Sequence, residues 1–229
     1  MYKHIFLDFD DTLYDTRGNA DEALRELYDH FRLNEYFGSM NAFLESYWKK
    51  NHEVWALYSL GKISRRELVI ERFLDPLRQV GAGSEEMALT LNDWFLDRTS
   101  EKTGLVEGAR ELLEYLHPNY HLHIISNGFT EVQHRKMKNA SLEHYFEKVI
   151  LSDEVGVNKP DPRIFDFALE RTGASRDESL MVGDNYDTDI TGAIRSRIDQ
   201  LFFNPKQERV ATVTPTFEVR QLSEIMDIL

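Results

Sequence analysis

The sequence contains no cysteine and no long apolar run, and each absence excludes a class of protein. Without cysteine the chain forms no disulfide, has no thiolate nucleophile and offers no cysteine ligand to zinc or an iron–sulfur cluster. No apolar run approaches the roughly 20 residues that cross a bilayer. The first segment, MYKHIFLDFDDTLYD, lacks the cleavage pattern of a signal peptide. We therefore expect a cytoplasmic protein that is not bound to a membrane.

Positive charge is also scarce. The chain has 27 lysines and arginines against 40 aspartates and glutamates, which gives a net charge of −13. Because no basic run is present to bind a polyphosphate backbone, we expect no duplex nucleic acid partner. A small anionic ligand remains compatible with this charge, since lysines, helix N-termini or a bound cation dominate locally inside a cleft. Oligomeric state stays open.

Five short apolar runs predict buried parallel strands, which are continuous rather than alternating in hydrophobicity. They are HIFLDF (4–9), HLHIIS (121–126), KVILS (148–152), SLMVG (179–183) and QLFFN (200–204). Helical patterns alternate with them at 108–117, 130–142, 163–173 and 188–197. This alternation predicts an α/β fold, a Rossmann-like doubly wound parallel sheet.

Residues 16–100 interrupt the alternation. Four amphipathic helices are predicted there, at 19–33, 41–60, 64–80 and 84–99, with no convincing strand among them. The connections at 60–64 and 81–84 resemble helix–helix turns. The sequence therefore predicts a sheet domain made of residues 1–15 and 101–229, with an inserted α-helical domain at 16–100.

Polar residues follow four of the predicted strands. They are Asp8, Asp10, Asp11 and Thr12 after the first, Ser126 and Asn127 at the second, Lys159 after the third, and Asp184 and Asp189 after the fourth. In an open parallel sheet, ligands bind outside the carboxyl ends of the strands, at the point where the strand order reverses. We therefore expect these residues to converge on one site.

The acidic residues in this set predict a metal ion. Asp8 and Asp10 repel each other unless a cation or a proton lies between them. Oxygen ligands from Asp8, from a backbone carbonyl near Asp10 and from Asp184 suit octahedral Mg²⁺, which also binds the phosphate oxygens of substrates. The other polar groups, on Ser126, Asn127 and Lys159, are donors suited to phosphate oxygens.

Four segments resemble the motifs of the haloacid dehalogenase (HAD) superfamily. DFDDT is similar to its DxDxT signature, IISNG to its second motif, NKPDPRIF to its third and VGDNYDTDI to its fourth, GDxxxxD. All four occur in order and at fitting strand ends. The helical insertion after the first motif resembles the cap domain of subclass I members.

The resemblance implies a phosphatase mechanism. Asp8 would be the nucleophile that forms an aspartyl-phosphate, and Asp10 would protonate the leaving group and then deprotonate water, a role that needs a raised pKa. Magnesium would be held by Asp8, the Asp10 carbonyl and Asp184. Ser126, Asn127 and Lys159 would stabilise the transferring phosphoryl group, and Asp189 would orient Lys159 or a metal-bound water.

The sequences of several segments resemble those of the pyrimidine 5′-nucleotidase subgroup, which acts on nucleoside monophosphates. These segments are SNGFTEVQ, SDEVGVNKPDPRIFDFAL and LMVGDNYDTDI in the core and VWALYSLGKISRRELVIERF in the insertion. A nucleoside base needs an aromatic face to stack on, and Phe129, Trp55 and Tyr58 are the candidates. For Trp55 and Tyr58 taken singly, packing among the helices of the insertion is the favoured interpretation.

Three alternatives remain open. The substrate could be another small phosphate ester, such as a sugar phosphate or phosphoglycolate. The superfamily also contains metal-independent 2-haloacid dehalogenases, although these lack the acid at the position of Asp10. A third alternative is a non-catalytic phosphate-binding or regulatory protein, which would have no use for Asp10 as a proton carrier.

Several other residues receive no functional role. His121 and His123 alternate on one strand face as a metal pair would, but no third ligand is evident, so a strand edge is the favoured interpretation. The charged segment RKMKN (135–139) is interpreted as a solvated helix face. Solvated or capping positions are expected for Asp15 and Asp187, and Asp11 is left without an explanation.

Overall fold

A computed structural model describes residues 1–207 and 213–229 of the chain. The chain forms two compact units: residues 1–16 with 103–229, and residues 17–102. Among the residues that the structure describes, no helix is both long and apolar enough to span a bilayer.

The first unit is built on a six-stranded sheet in which every neighbouring pair is parallel. Its strands are β1 (His4–Leu7), β2 (His121–Ser126), β3 (Lys148–Leu151), β4 (Ser179–Gly183), β5 (Asp199–Phe203) and β6 (Phe217–Val219). Their order across the sheet is β3-β2-β1-β4-β5-β6. The order reverses at β1, which pairs with β2 on one side and β4 on the other. The predicted doubly wound α/β fold with a helical insertion is confirmed.

Apolar residues cover both faces of this sheet. Ile5 and Leu7 belong to one buried cluster and Phe6 to the other, as the alternation of side chains along a strand requires. The helices of this unit are α5 (Ala109–Leu116), α6 (Thr130–Asn139), α7 (Ser152–Val155), α8 (Pro162–Thr172) and α9 (Thr191–Arg195). Each apolar run is therefore buried on both sides, which explains its lack of polar alternation.

The second unit is helical. Its helices are α1 (Thr16–His30), α2 (Met40–Ser59), α3 (Arg65–Gln79) and α4 (Glu85–Glu101). Serine is the N-cap residue of α2, α3 and α4. At the start of α3, Ser64 forms a reciprocal capping box with Glu67, which satisfies backbone N–H groups that have no partner within the helix. A separate cluster of buried residues, including Leu24, Phe43 and Phe73, forms the core of this unit.

The element boundaries differ from the predicted ones in a few places. The first strand ends at Leu7 rather than at residue 9, because the Phe9 carbonyl turns to accept the N–H groups of Leu13 and Tyr14. The segment 188–197 is divided between a π-helical turn (Tyr186–Ile190) and α9. The sequence did not predict β6, which has only three residues and therefore too short an apolar pattern.

Candidate active site

The polar residues predicted at the strand ends all lie in the sheet unit. Asp8 and Asp10 follow β1, Ser126 ends β2, Asp184 follows β4, and Lys159 lies between α7 and α8. Because β2, β1 and β4 are adjacent and parallel, their carboxyl ends open on the same edge of the sheet.

Lys159 is the buried cation of the site. Its side chain is 2% exposed, and its ammonium group donates to Asp8 Oδ1 at 2.5 Å, to Asp189 Oδ1 at 2.7 Å and to the Ile125 carbonyl at 2.7 Å. Burial lowers the pKa of Lys159, but the two carboxylates outweigh burial and leave this pKa above its ordinary value. Lys159 therefore carries a fixed positive charge beside Asp8.

Asp189 holds Lys159 from the π-helical turn after β4. It is 1% exposed, and while Oδ1 binds Lys159, Oδ2 accepts the backbone N–H of Asn185 at 3.1 Å. Gly183 makes this approach possible, because a Cβ atom at that position would lie 2.2 Å from Asp189 Oδ2. Both Asp189 oxygens are thus engaged within the protein.

Thr12 connects the two acids that follow β1 and β4. Its hydroxyl oxygen accepts the backbone N–H of Asp184 at 3.0 Å and lies 3.2 Å from Asp184 Oδ1 and 3.5 Å from Asp8 Oδ2. A hydroxyl has one hydrogen to donate, so it satisfies one of these carboxylates at a time. The second carboxylate keeps capacity for another positive partner.

The donor set of the site fits a divalent cation. Carboxylate oxygens of Asp8, Asp184 and Asp189 lie within 4.8 Å of one another. Burial, together with the charges of Asp189 and Asp10, raises the pKa of Asp8 to about 7 even though Lys159 opposes the change. Burial and the charges of Asp8 and Asp189 raise the pKa of Asp184 well above its ordinary value. Hard oxygen ligands under such repulsion suit Mg²⁺, and Asp8 and Asp184 are better ligands than the fully engaged Asp189.

Asp10 is held by three donors. Lys136 Nζ and Thr16 Oγ1 each lie 2.6 Å from Oδ1, and Gln133 Nε2 lies 2.6 Å from Oδ2. Burial raises the pKa of Asp10, but the charge of Lys136 and the three hydrogen bonds outweigh burial and bring this pKa below its ordinary value. The direction is opposite to the raised pKa expected from the motif, because α6 contributes a lysine that the motif does not contain.

Ser126 and Asn127 present different groups to a ligand. Ser126 is 1% exposed, and its Oγ accepts from Gly128 N at 3.1 Å and from Gln133 Nε2 at 2.8 Å. Since both contacts use Oγ as an acceptor, neither uses the hydroxyl hydrogen. The Asn127 carboxamide binds the backbone N–H and carbonyl of Lys159 at 2.8 and 3.0 Å. A phosphate contact from Asn127 would therefore come from its backbone N–H.

Asp11 has a conformational role that the sequence did not indicate. Its φ angle is 60°, in the left-handed region, and its N–H donates to the Tyr14 carbonyl at 2.8 Å. Aspartate adopts this region more readily than most residues. Asp11 therefore reverses the chain after β1 and directs Thr12 back toward the site.

The aromatic candidates lie on two elements, at the start of α6 and on α2. Phe129 immediately precedes α6 and is 3% exposed. Trp55 and Tyr58 lie on α2 of the helical unit, with their ring centroids 5.6 Å apart in an edge-on arrangement. Their roles in stacking a base stay predictions. His121 and His123 lie in the first half of β2, away from its carboxyl end.

Four further residues complete the contacts around the acids, and none had been assigned a role from the sequence. They are Thr12, Thr16, Gln133 and Lys136. Thr12 is the threonine of the DxDxT motif, so the sequence did contain a pattern that points to it. The interpretation of 135–139 as a solvated face is wrong for Lys136, which is 6% exposed. Gln133 and Lys136 are three residues apart on α6 and therefore face the same way, but sequence does not indicate which groups they contact.

Comparison with known proteins agrees with this geometry. The family model described as haloacid dehalogenase-like hydrolase matches residues 2–197. Pyrimidine 5′-nucleotidase YjjG of Escherichia coli is 30% identical over 224 residues, covering 92% of this chain and 95% of YjjG. Pyrimidine 5′-nucleotidase PynA of Streptococcus pneumoniae is 29% identical over 232 residues, covering 100% of this chain and 95% of PynA.

The fold comparison gives the same family. The crystal structure of the HAD-hydrolase YfnB of Bacillus subtilis, bound to magnesium, superposes with a TM-score of 0.90 at 27% identity, covering 99% of this chain and 98% of that one. The family model covers most of the chain, and the expected residues converge at the strand ends. The chain therefore belongs to the haloacid dehalogenase-like hydrolase family.

Proposed function

We propose that this protein is a magnesium-dependent phosphomonoester hydrolase that works through an aspartyl-phosphate on Asp8. The observation that carries the proposal is the pairing of two differently held acids after β1. Asp8 is buried against the Lys159 ammonium, whereas Asp10 is held by Lys136, Thr16 and Gln133. One carboxylate is thus placed to attack and the other to carry a proton.

The chemistry divides into two displacements. In the first, an Asp8 oxygen bonds to phosphorus while the ester oxygen leaves with a proton from Asp10. In the second, Asp10 takes a proton from water, which attacks phosphorus and releases Asp8 and inorganic phosphate. The lowered pKa of Asp10 favours the carboxylate form that the second displacement requires, so in the first displacement Asp10 has to take up a proton from solvent before it passes that proton to the ester oxygen.

The phosphoryl oxygens need donors that do not move during transfer. We assign this role to the Ser126 hydroxyl and the Asn127 backbone N–H, and we propose that the Lys159 ammonium, whose three hydrogens bond Asp8, Asp189 and Ile125, stabilises the phosphoryl group through its positive charge. Lys159 is pre-positioned by Asp189 and by the Ile125 carbonyl. The Asn127 carboxamide fixes the backbone of Lys159, so the donors after β2 and β3 form one connected unit.

Magnesium is the cofactor that the donor set supports best. Asp8 and Asp184, together with the backbone carbonyl of Asp10, would hold the ion, as the raised pKa values of the two carboxyl groups favour. When bound, Mg²⁺ supplies charge that draws an anionic phosphate toward the anionic Asp8. The related YfnB was crystallised with magnesium.

A nucleoside 5′-monophosphate with a pyrimidine base is the proposed substrate class. YjjG and PynA, both named pyrimidine 5′-nucleotidases, align over nearly the whole chain. Phe129, Trp55 and Tyr58 are the rings proposed to stack on the base. Cytoplasmic localisation is proposed on the same basis, with a small phosphorylated metabolite as the partner.

A sugar phosphatase is the second candidate. A protein named glyceraldehyde 3-phosphate phosphatase, from Methanothermobacter thermautotrophicus, is 28% identical over 240 residues, with 99% of this chain covered. Dehalogenation is disfavoured: the dehalogenase of Xanthobacter autotrophicus matches with a TM-score of 0.77 but at 20% identity, which shows the fold alone. Dehalogenases also have no use for the held acid Asp10.

The test is hydrolysis of p-nitrophenyl phosphate with and without Mg²⁺. We expect turnover that stops in chelator, returns with Mg²⁺ and is abolished by Asp8→Asn, because the amide is not a nucleophile toward phosphorus. Full activity in chelator would contradict metal dependence, and activity in the Asp8→Asn variant would contradict the mechanism. A kcat/KM screen of pyrimidine and purine monophosphates against glyceraldehyde 3-phosphate then decides between nucleotidase and sugar phosphatase.

A further inference from the structure

Gln133 joins two groups of the site that lie at the carboxyl ends of different strands, Asp10 after β1 and Ser126 at the end of β2. Its side chain is fully buried on α6, and Nε2 donates to Asp10 Oδ2 at 2.6 Å and to Ser126 Oγ at 2.8 Å. We propose that Gln133 is a positioning residue: it fixes the proton-carrying carboxylate of Asp10 relative to the phosphate-binding hydroxyl of Ser126. This inference rests on the phosphatase function proposed above.

The orientation of the carboxamide follows from its partners. Asp10 Oδ2 is an acceptor, so the Gln133 atom that faces it has to be the nitrogen. One NH₂ group has two hydrogens, and the two contacts with Asp10 and Ser126 use both of them. Because each contact takes one hydrogen of a planar group, the direction of one partner constrains the direction of the other.

Stability alone does not explain a glutamine at this position. Gln133 Oε1 is buried and has no hydrogen-bond partner among the described residues, and leaving a buried acceptor unsatisfied costs free energy. A methionine of similar length would fill the same space without that cost. What the carboxamide provides is the pair of hydrogen bonds to Asp10 and Ser126.

The adjacent loop leaves room for this side chain. A Cβ atom at Gly128 would lie 2.4 Å from both Cδ and Nε2 of Gln133, so any larger residue would displace the carboxamide. One turn further along α6, Lys136 binds the other Asp10 oxygen, Oδ1, at 2.6 Å. The two residues of α6 thus hold one oxygen each and fix the rotation of the carboxylate plane.

The consequence lies in the first displacement. As the bond from Asp8 to phosphorus forms, the bond from phosphorus to the ester oxygen breaks, and the Asp10 proton moves to that oxygen. An alkoxide needs this proton, whereas p-nitrophenolate is stable as an anion and leaves without it. Misplacing Asp10 should therefore slow the hydrolysis of alkyl phosphates far more than that of p-nitrophenyl phosphate. The ratio kcat/KM isolates this step, because it covers the reaction only up to the first irreversible displacement.

The test compares Gln133→Met with Gln200→Met, a control at another buried glutamine, whose carboxamide contacts Ile198 and Thr216 instead. With uridine 5′-monophosphate and glycerol 3-phosphate, Gln133→Met should lower kcat/KM by about tenfold or more. With p-nitrophenyl phosphate its kcat/KM should stay within about threefold of the wild type, since no proton is required there. Gln200→Met should leave kcat/KM unchanged both for the two alkyl phosphates and for p-nitrophenyl phosphate.

Two further variants make the result decisive. Gly128→Ala should reproduce the selective loss on alkyl phosphates, because it displaces the Gln133 side chain. In an Asp10→Asn background, Gln133→Met should lower kcat/KM by no more than the roughly threefold change allowed with p-nitrophenyl phosphate, since only its hydrogen bond to Ser126 is left to lose. Equal losses on alkyl and aryl esters, or an undiminished loss in the Asp10→Asn background, would overturn the inference. A wild-type protein that hydrolyses none of these esters would instead overturn the proposed function, and this inference with it.

Discussion

Lys159 places a single ammonium group between two buried carboxylates and a backbone carbonyl. Its three hydrogens meet three acceptors, from Asp8, Asp189 and Ile125. Such a buried charge is tolerated only while its partners remain. The same residue whose charge would stabilise the phosphoryl group is therefore also needed for the stability of the sheet unit.

Replacing Lys159 by methionine tests this dual role. Two acids lose their shared cation, so we expect a loss of about 3 to 5 kcal/mol in the free energy of unfolding, together with loss of phosphatase activity. Urea unfolding measures the first effect. The exposed Lys62→Met is the matched control, expected to change stability by no more than about 0.5 kcal/mol.

The double variant Lys159→Met/Asp189→Asn separates charge from packing. It removes one of the stranded carboxylates and should recover part of the lost stability. A Lys159→Met protein as stable as the wild type, or a double variant less stable than the single one, would contradict this account of the buried pair.

Within the sheet, the beginnings of β1 and β2 form a histidine stack away from the active site. The parallel register places His4 beside His121 and Phe6 beside His123, and His4 Nδ1 lies 3.1 Å from His123 Nε2. His123 is 1% exposed and its Nδ1 has no partner among the described residues. Burial, followed by the charge of His4, lowers the pKa of His123 to about 4.

This stack predicts acid sensitivity that belongs to the sheet rather than to catalysis. The unfolded chain binds a proton at His123 below its ordinary pKa of 6.5, whereas the folded chain does not until about pH 4. The free energy of unfolding should therefore fall as pH drops from 6.5 toward 4, by at most about 3 kcal/mol from this residue.

The measurement is urea unfolding at several pH values for the wild type and for His123→Phe. Other groups facing the stack also titrate or carry charge: His4, His121 paired with Glu147, Lys148, and Glu178 paired with Lys3. They remain in the variant, so the difference between the two proteins isolates His123. If the free energy of unfolding changes with pH to the same extent in both proteins between pH 6.5 and 4, His123 contributes nothing to the acid sensitivity.

At the scale of the whole molecule, each of the two units has its own buried core. The three acids whose carboxylates meet at the proposed metal site, Asp8, Asp184 and Asp189, belong to the sheet unit. In the metal-free protein, burial and the charge of Asp8 raise the pKa of Asp184, and burial with the charges of Asp189 and Asp10 raises the pKa of Asp8. Metal binding is therefore coupled to the stability of the sheet unit.

Addition of Mg²⁺ should raise the melting temperature. At a concentration about 100 times its Kd, Mg²⁺ should stabilise the folded state by about 2.7 kcal/mol, which corresponds to about 5 to 10 °C for a chain of this size. Asp184→Asn should melt higher than the wild type without metal, because one of the repelling charges is gone, and should show no further rise with Mg²⁺. Hydrogen exchange provides the spatial control: the backbone amides after β1 and β4 should gain protection when Mg²⁺ is added. A rise in the melting temperature of Asp184→Asn with Mg²⁺ would contradict the assigned ligands.

The sequence by itself determined the architecture and the acids of the site. Continuous apolar runs bounded by polar clusters predicted strands buried on both faces, and the motifs placed Asp8, Ser126 and Asp184 at strand ends and Lys159 after the third strand. Tertiary structure decided the electrostatics. Whether Asp10 has a high or a low pKa depends on Lys136 and Gln133, which are more than 120 residues away in sequence. Helical spacing shows that these two residues share a face, but only the packing of α6 against the end of β1 determines that this face meets a carboxylate.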